Sequence, residues 1–189
     1  MSSFDAVILA GGSSSRMGGR DKSAESVGDK TLLEAALGAV VDATRIILVG
    51  PQRVARENLI QVVEDPPGGG PVAGIEAALP YVTSEVLAVL ACDMPLVDTN
   101  YVGYLAAELG ERDAVCGVDG EGRTQYLPCG WKRSVLSARL QELETRGAPL
   151  RSLFAGLDVK LVPDRGVSID CDTPEELEDA RRAVRLKIP

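Results

Sequence analysis

A glycine- and serine-rich segment, residues 11–22, has the composition of an anion-binding loop. It contains three cations, Arg16, Arg20 and Lys22, after a run of small residues that reads Gly-Gly-Ser-Ser-Ser. Successive Gly and Ser residues let backbone amides turn inward around an anion, and the cations add positive charge. A flexible surface loop with solvated charges is the alternative. The concentration of cations on an otherwise acidic chain favours phosphate binding.

The segment does not match the common phosphate-binding motifs. The dinucleotide fingerprint G-x-G-x-x-G is absent, which argues against a dehydrogenase. The P-loop requires Gly directly before its Lys, and here Asp21 precedes Lys22.

Asp93 is the second candidate for chemistry. It follows an apolar run, residues 85–91, that predicts a buried strand, and Pro95 ends that strand. A carboxylate held at a strand end suits a hard cation such as Mg²⁺, which takes one or two protein carboxylates and completes its shell with water and phosphates. Capping of the following turn is the alternative role. The presence of the cationic loop favours the metal.

Other carboxylates and glycines also follow predicted strands. Asp65 could bind a sugar hydroxyl or cap a turn, and the residues alone leave both open. Gly74 allows either a ligand or a neighbouring strand to approach closely. Asp170 and Asp172 are spare carboxylates before a helix start, and the residues assign them no role.

The spacing of apolar residues predicts alternating strands and helices. A capping box, Thr31 with Glu34, begins the first helix, and Asp119-Gly120-Glu121-Gly122 marks a hairpin. Strands are predicted over residues 4–10, 45–50, 60–64, 85–91, 113–118, 124–131 and 158–162. Helices are predicted after Thr31 and over residues 72–82, 100–109, 133–146 and 173–187.

Buried strands alternating with helices predict an α/β fold with a mainly parallel sheet, and the hairpin predicts an antiparallel intrusion. Ligands bind such sheets beyond the carboxyl ends of the strands. The segments 11–22, 65–74 and 92–95 all follow predicted strands, so we expect them to share one edge.

The composition of the chain excludes several kinds of catalytic and metal site. The chain has 189 residues, which predicts a single domain over residues 1–189, and 20 Lys+Arg against 28 Asp+Glu give a net charge of −8. It contains no histidine. Ser-His-Asp and Cys-His catalysis, an imidazole proton shuttle and zinc sites with His ligands are therefore excluded. The acidic balance argues against nucleic acid as the main partner.

The cysteines and the hydropathy pattern favour a cytoplasmic protein. The four cysteines are scattered without a C-x-x-C pair, so no zinc or redox motif is expected, and none has an identifiable activating partner. No apolar run reaches about 18 residues, so no membrane-spanning helix is expected. The first five residues lack the basic region of a signal peptide.

Taken together, the motifs resemble a known family. The loop resembles the signature L-A-[GA]-G-x(n)-R-M-G-x-(D)-K of the molybdenum cofactor guanylyltransferases, the MobA-like nucleotidyltransferases. The matching residues are Leu9-Ala10-Gly11-Gly12, Arg16-Met17-Gly18-Gly19 and Asp21-Lys22. Further matches in the family's order are Glu64-Asp65, Gly70-Pro71-Val72-Ala73-Gly74-Ile75, Cys92-Asp93-Met94-Pro95 and Asp172-Thr173-Pro174-Glu175-Glu176-Leu177.

The resemblance implies a Rossmann-like three-layer nucleotidyltransferase fold and transfer of GMP from GTP to molybdopterin, with release of pyrophosphate and with Mg²⁺ as cofactor. It implies that Leu9, Ala10, Gly11, Gly12 and Asp65 contact the nucleotide. Lys22 would bind its phosphates, Asp93 would bind Mg²⁺, and Arg16 would act with Lys22 and Asp93 in catalysis. A protein that delivers molybdopterin and a molybdoenzyme are the further partners that such a role implies.

The chain departs from the family pattern in two places. Gly50 and Pro51 stand where the family often has Asn, and Asp170 and Asp172 stand where Asn is frequent. These departures bear on base and pterin specificity. Two alternatives therefore stay open: a related nucleotidyltransferase that uses CTP with molybdopterin or acts on a sugar or alcohol phosphate, and a nucleotide-binding regulatory domain without turnover.

Overall fold

Strand β1 (Phe4–Leu9) lies at the centre of the computed structural model, which describes residues 3–11, 22–51 and 56–187. All six residues of β1 are buried, because helices cover both faces of the sheet. Ala6 and Ile8 pack in one apolar cluster, whereas Val7 and Leu9 pack in the other. This alternation is the period of two that a strand imposes on its side chains.

The main sheet has seven strands within the described residues. The other strands are β2 (Ser26–Val27), β3 (Lys30–Thr31), β4 (Arg45–Val49), β5 (Leu59–Val62), β6 (Val86–Ala91), β7 (Ala114–Val118), β8 (Thr124–Lys132) and β9 (Val159–Pro163). Their order across the sheet is β5-β4-β1-β6-β8-β7-β9, and β2 with β3 forms a separate hairpin.

Helices flank the sheet. The α-helices of the described residues are α1 (Leu32–Ala39), α2 (Pro71–Ala78), α3 (Thr99–Leu109), α4 (Arg133–Gln141) and α5 (Pro174–Lys187). Residues of α1 and α3 lie in the cluster with Ala6 and Ile8, and residues of α2 and α4 lie in the cluster with Val7 and Leu9. None of the helices in the described residues is long and apolar enough to cross a membrane.

The direction of the strands determines where a site can form. Strand β1 pairs in parallel with β4 and β6, and β4 pairs in parallel with β5. Strand β8 runs antiparallel to both β6 and β7, and β9 is parallel to β7. All strands of the main sheet except β8 therefore end at the same edge. The predicted α/β fold with a mainly parallel sheet and an antiparallel intrusion is confirmed.

The predicted capping box at the start of α1 is also confirmed. Thr31 Oγ1 accepts from the backbone N–H of Glu34 at 3.1 Å, and Glu34 Oε2 accepts from the backbone N–H of Thr31 at 2.8 Å. Backbone and side-chain hydrogen bonds from Thr31 lower the pKa of Glu34.

Several predicted boundaries are wrong. The helix predicted over residues 133–146 ends at Gln141, and Thr145 and Arg146 bond instead to Glu76 and to the carbonyl of Pro66. The strand predicted over residues 60–64 is Leu59–Val62, and Glu64 leaves it. The helix predicted over residues 72–82 changes at Ala78 to a 3-10 turn, Leu79–Tyr81, which contains Pro80.

Short elements were absent from the prediction. These are the β2–β3 hairpin and the 3-10 turns Lys22–Ala24 and Leu150–Phe154. They are too short to produce a hydrophobic period in the sequence.

A buried carboxylate joins β1 to the turn before β6. The Asp5 side chain is fully buried and accepts four hydrogen bonds from Thr83 and Ser84. Two come from backbone N–H groups, at 2.6 and 2.9 Å, and two from hydroxyls, at 3.1 and 2.9 Å. A buried carboxylate is tolerated only when its oxygens are satisfied in this way. Asp5 therefore stabilises the amino-terminal edge of the sheet, opposite the edge where β1 and β6 end.

We predict that Asp5→Ala lowers the free energy of unfolding by about 3 kcal/mol, since it leaves buried N–H groups without an acceptor. Urea unfolding followed by circular dichroism measures the change. Asp42→Ala, at an exposed carboxylate, is the control and should change stability by less than about 0.5 kcal/mol. Equal effects of the two substitutions would contradict the role given to Asp5.

Candidate functional site at the carboxyl edge of the sheet

Lys22 joins two carboxylates that lie far from it in the sequence. Its Nζ donates to Asp93 Oδ2 at 2.7 Å and to Asp172 Oδ1 at 2.6 Å. Both distances are those of charge-assisted hydrogen bonds. The side chains of Lys22 and Asp93 are largely buried, at 15% and 22% exposed, so solvent screens this pair less than a surface ion pair. One ammonium thus holds segments from the beginning, middle and end of the chain together.

Each of the three residues is fixed by its own element. Lys22 begins a 3-10 turn, and its carbonyl accepts from the N–H of Glu25 at 3.0 Å. Asp93 comes two residues after β6 ends, where the N–H of Cys92 donates to the carbonyl of Leu9 at 3.0 Å. The end of β6 is thereby tied to the end of β1.

Asp172 lies between a buried cysteine and the start of α5. The N–H of Cys171 donates to the Asp93 carbonyl at 3.0 Å, and the N–H of Asp172 donates to Glu176 Oε2 at 2.9 Å. Glu176 also accepts from the N–H of Thr173, whose hydroxyl accepts in return from the N–H of Glu176 at 3.2 Å. The capping box that Thr173 and Glu176 form at the start of α5 therefore also positions Asp172.

The carboxylates determine the charge of the site. Partial burial acts to lower the pKa of Lys22, but the hydrogen bonds and charges of Asp172 and Asp93 outweigh burial and raise it. Lys22 is therefore cationic throughout the neutral range. Desolvation, followed by the charges of Asp172 and Asp93, raises the pKa of Asp170, although much of this residue is exposed. Among the described residues, the Lys22 ammonium thus lies in a group of carboxylates made up of Asp93, Asp170 and Asp172.

Only one of the two carboxylate oxygens of Asp93 accepts a hydrogen bond from a described residue. Oδ2 accepts from Lys22, but Oδ1 is buried and has no hydrogen-bond partner among the described residues. A buried acceptor without a donor is costly, so Oδ1 has unused capacity for a hydrogen-bond donor, a water or a cation. The described residues contain no group of three or more His, Cys, Asp or Glu side chains that could hold a metal ion. A cation at Asp93 would therefore have few ligands among the described residues.

The chain after β1 and the chain after β4 meet through small residues. Gly50 has φ of 141°, and a Cβ there would lie 2.8 Å from the carbonyl carbon of Ala10 and 3.0 Å from the N of Gly11. Only glycine fits this approach. We call Ala10, Gly11 and Gly50 the small-residue floor. It lies at the same sheet edge as Asp93, and Gly11 is exposed there, whereas Ala10 and Gly50 are buried.

The residues predicted to contact the nucleotide differ in how deeply they are buried. Leu9 packs its side chain in the core, so only its backbone can face a ligand, whereas Gly11 is exposed. A Cβ on Gly74 would lie 3.2 Å from Val49 and 3.3 Å from Leu9, so close packing of α2 on the sheet accounts for this glycine.

Asp65 is exposed and follows β5, and no hydrogen bond or ion pair joins it to Lys22 or Asp93. Gly12, Arg16 and Arg20 lie outside the described residues, so their predicted roles stay predictions.

Two residues of the site were not assigned from the sequence. Asp172 was left without a role, although its place directly before a complete helix start is a signal that its backbone is fixed. Glu64 was assigned to a strand. The structure instead places its Oε1 as acceptor for the N–H of Gly68 at 2.8 Å, and its Oε2 is buried without a partner among the described residues.

The cysteines have a structural role. All four are buried and free, and burial raises the pKa of Cys129 and of Cys171 to about 12. Burial also raises the pKa of the Cys116 thiol. A protonated, buried thiol is a poor nucleophile. Cys116, Cys129 and Cys171 are therefore poorly suited to act as nucleophiles.

Comparison with known proteins identifies the family. The family model described as the MobA-like NTP transferase domain matches residues 6–161, most of the chain. The chain belongs to this family. The match includes β1, the end of β6 with Asp93, and the glycines before α2.

Two molybdenum cofactor guanylyltransferases are similar in sequence to this chain. A molybdenum cofactor guanylyltransferase of Shewanella piezotolerans is 32% identical over 96% of this chain and 93% of that protein. One of Shewanella halifaxensis is 34% identical, but the aligned part spans only 64% of this chain and 63% of that protein. The solved structure of molybdopterin-guanine dinucleotide biosynthesis protein A from Archaeoglobus fulgidus has a TM-score of 0.76 and 22% identity, with 96% and 99% of the two chains covered. The last comparison confirms the nucleotidyltransferase fold.

We predict that Gly50→Ala disrupts the small-residue floor, because the new Cβ would overlap the backbone of Ala10 at a φ that L residues rarely adopt. The expected loss is about 2 kcal/mol in the free energy of unfolding, measured by thermal or urea denaturation. Gly38→Ala, in α1, is the control: its Cβ would meet nothing within 4 Å, and the substitution should stabilise by about 0.5–1 kcal/mol. A neutral Gly50→Ala would contradict the close approach.

Proposed function

We propose that this protein is a molybdenum cofactor guanylyltransferase, which transfers GMP from GTP to the terminal phosphate of molybdopterin and releases pyrophosphate. The observation that carries the proposal is the Lys22 ammonium held between Asp93 and Asp172 at the sheet edge where the parallel strands end. Ligands of open α/β sheets bind at this edge. Membership of the MobA-like family supports the choice of reaction.

The small-residue floor supports nucleotide binding beside Lys22. Gly11 is exposed after β1 and has no side chain, so a nucleotide can approach the backbone closely at this point. Asp65, exposed at the end of β5, is proposed as a polar contact of the nucleotide, and the predicted cations of residues 12–21 would meet its phosphates.

Mg²⁺ is the proposed cofactor, and Asp93 is its proposed ligand. The unpartnered Oδ1 of Asp93 fits a hard cation, and the absence of a larger ligand cluster in the described residues fits Mg²⁺, which keeps water and phosphate ligands. When bound, Mg²⁺ neutralises phosphate charge.

The chemistry requires no general base. The acceptor is a phosphate monoester with a second pKa of about 6, so it is mostly dianionic at neutral pH and already nucleophilic. The difficulty is bringing two anions together in line. Lys22 supplies a permanent positive charge for the nucleotide phosphates and the leaving pyrophosphate, because its raised pKa keeps it protonated. Positioning and electrostatics then suffice, as in other phosphoryl transfers.

The substrates can be tested directly. We expect that purified protein incubated with GTP, MgCl₂ and molybdopterin gives the guanine dinucleotide of molybdopterin, detected by mass spectrometry, together with pyrophosphate. Parallel incubations with CTP, and with sugar and alcohol phosphates, test the related nucleotidyltransferases. A product with CTP alone would contradict GTP as the substrate. Nucleotide binding without pyrophosphate release from any acceptor would favour a regulatory domain.

Asp93 can be tested with a nearly isosteric substitution. Asp93→Asn removes the charge and should lower kcat/KM by at least about a hundredfold, since one electrostatic contact to the reacting phosphates is worth 10²–10³ in rate. The measurement is pyrophosphate release as a function of Mg²⁺ concentration. Asp98→Asn is the control, because Asn caps α3 as well as the native Asp98 does. Unchanged turnover and Mg²⁺ dependence in Asp93→Asn would exclude Asp93 from the metal site.

A further inference from the structure

Residues 145–147, which follow α4, contact the loop that leads into α2. We call residues 145–147 the clamp segment and residues 66–70 the glycine turn. Arg146 Nη1 donates to the carbonyl of Pro66 at 3.0 Å, and the N–H of Gly147 donates to the carbonyl of Gly69 at 2.7 Å. Thr145 Oγ1 donates to Glu76 Oε2 on α2 at 2.5 Å. The clamp segment therefore bonds to both ends of the glycine turn and to the helix behind it.

The glycine turn is also held from its own strand. Glu64 Oε1 accepts from the N–H of Gly68 at 2.8 Å. A Cβ on Gly69 would lie 2.7 Å from the Cβ of Ala73, 3.2 Å from Glu64 Oε2 and 3.7 Å from Arg146 Cγ. Gly69 is thus enclosed by α2, Glu64 and the stem of Arg146. With Gly68 at φ of 81° and Gly70 at φ of 90°, the turn is intrinsically adaptable, and its conformation depends on these contacts.

The position of the turn connects it with the nucleotide. It follows β5 and therefore lies at the edge where β1, β4 and β6 end, beyond the small-residue floor. It also precedes α2, whose N-cap Gly70 provides no side-chain cap for the first helical N–H groups. A ligand lying on the floor from Lys22 towards β5 would meet this turn.

Arg146 itself is exposed, and one hydrogen bond from an exposed guanidinium contributes little to global stability. Its effect should therefore be local, on the conformation of the turn that it contacts.

We infer that Arg146 is a positioning residue for the nucleoside triphosphate: with Gly147 it fixes the glycine turn in the conformation that receives the base and ribose. This inference rests on the proposed function. Arg146 touches neither the phosphates nor the acceptor in this scheme, so it affects nucleotide affinity and not the chemical step.

The test is steady-state kinetics of Arg146→Ala with GTP as the varied substrate. The expected result is a KM for GTP raised about fivefold to tenfold, which corresponds to the loss of one hydrogen bond, with kcat within twofold of the wild-type value. Arg146→Lys should keep KM within about threefold, because the bond to Pro66 needs only one N–H donor, which the lysine ammonium supplies.

Arg45→Ala is the matched control. Arg45 Nη1 donates to the carbonyl of Tyr81 at 2.9 Å, also an exposed bond from guanidinium to backbone, but at the start of β4. It should change neither KM nor kcat. If Arg146→Ala raises KM no more than Arg45→Ala does, or lowers kcat by more than twofold, the inference is overturned.

Hydrogen exchange provides a readout that does not need activity. Amides of residues 64–70 should exchange faster in Arg146→Ala than in wild-type protein, and those of β4 should not change. Unchanged exchange in residues 64–70 would overturn the inference whatever the substrate is. If the wild-type protein uses CTP in place of GTP, the same KM comparison is made with CTP. A wild-type chain that binds no nucleotide would overturn both the proposed function and this inference.

Discussion

The ion bridge from Lys22 to Asp93 and Asp172 is the constraint on which the candidate site depends. The two bonds span 71 and 150 residues of sequence, and neither could form unless β1, β6 and the turn before α5 reached the same edge. Two carboxylates brought this close would repel each other without a cation between them. Lys22 therefore stabilises an electronegative edge in a protein whose net charge is already −8.

The sheet makes this convergence possible. Because only β8 runs antiparallel in the described sheet, the carboxyl ends of its other strands share one edge, and the loops after β1, β5 and β6 share it with them. The amino-terminal edge of the sheet has a role in stability. There Asp5 uses its four hydrogen bonds to fix the chain before β6. Asp5 and the candidate site thus lie at opposite edges of the sheet.

The sequence alone predicts the strands and helices whose apolar residues follow a regular pattern over many positions. It also predicts those elements whose ends carry a capping or turn motif. The buried strands β1, β4 and β6, the capping box of Thr31 and the hairpin between β7 and β8 all have local causes, and all were predicted. The rule that ligand-binding loops follow the carboxyl ends of parallel strands predicted that the segments of Lys22 and Asp93 share one edge, and the ion pair between these residues confirms it.

What the sequence did not reveal depends on contacts between distant segments. The helix predicted to Arg146 ends at Gln141, and Thr145 and Arg146 bond instead to Glu76 and Pro66, some seventy to eighty residues earlier. No pattern in the residues around Gln141 predicts the end of this helix or these long-range bonds. The bond from Lys22 to Asp172 is of the same kind.

The proposed reaction does not need the histidine that the chain lacks. An acceptor that arrives ionised needs positive charge and alignment, which Lys22, backbone amides and a metal on Asp93 can supply. The most direct test is a crystal structure of the protein with a non-hydrolysable GTP analogue and Mg²⁺. We predict the phosphates beside Lys22, the base on the floor of Ala10, Gly11 and Gly50, and the metal on Asp93. A nucleotide bound away from the carboxyl edge would contradict the account.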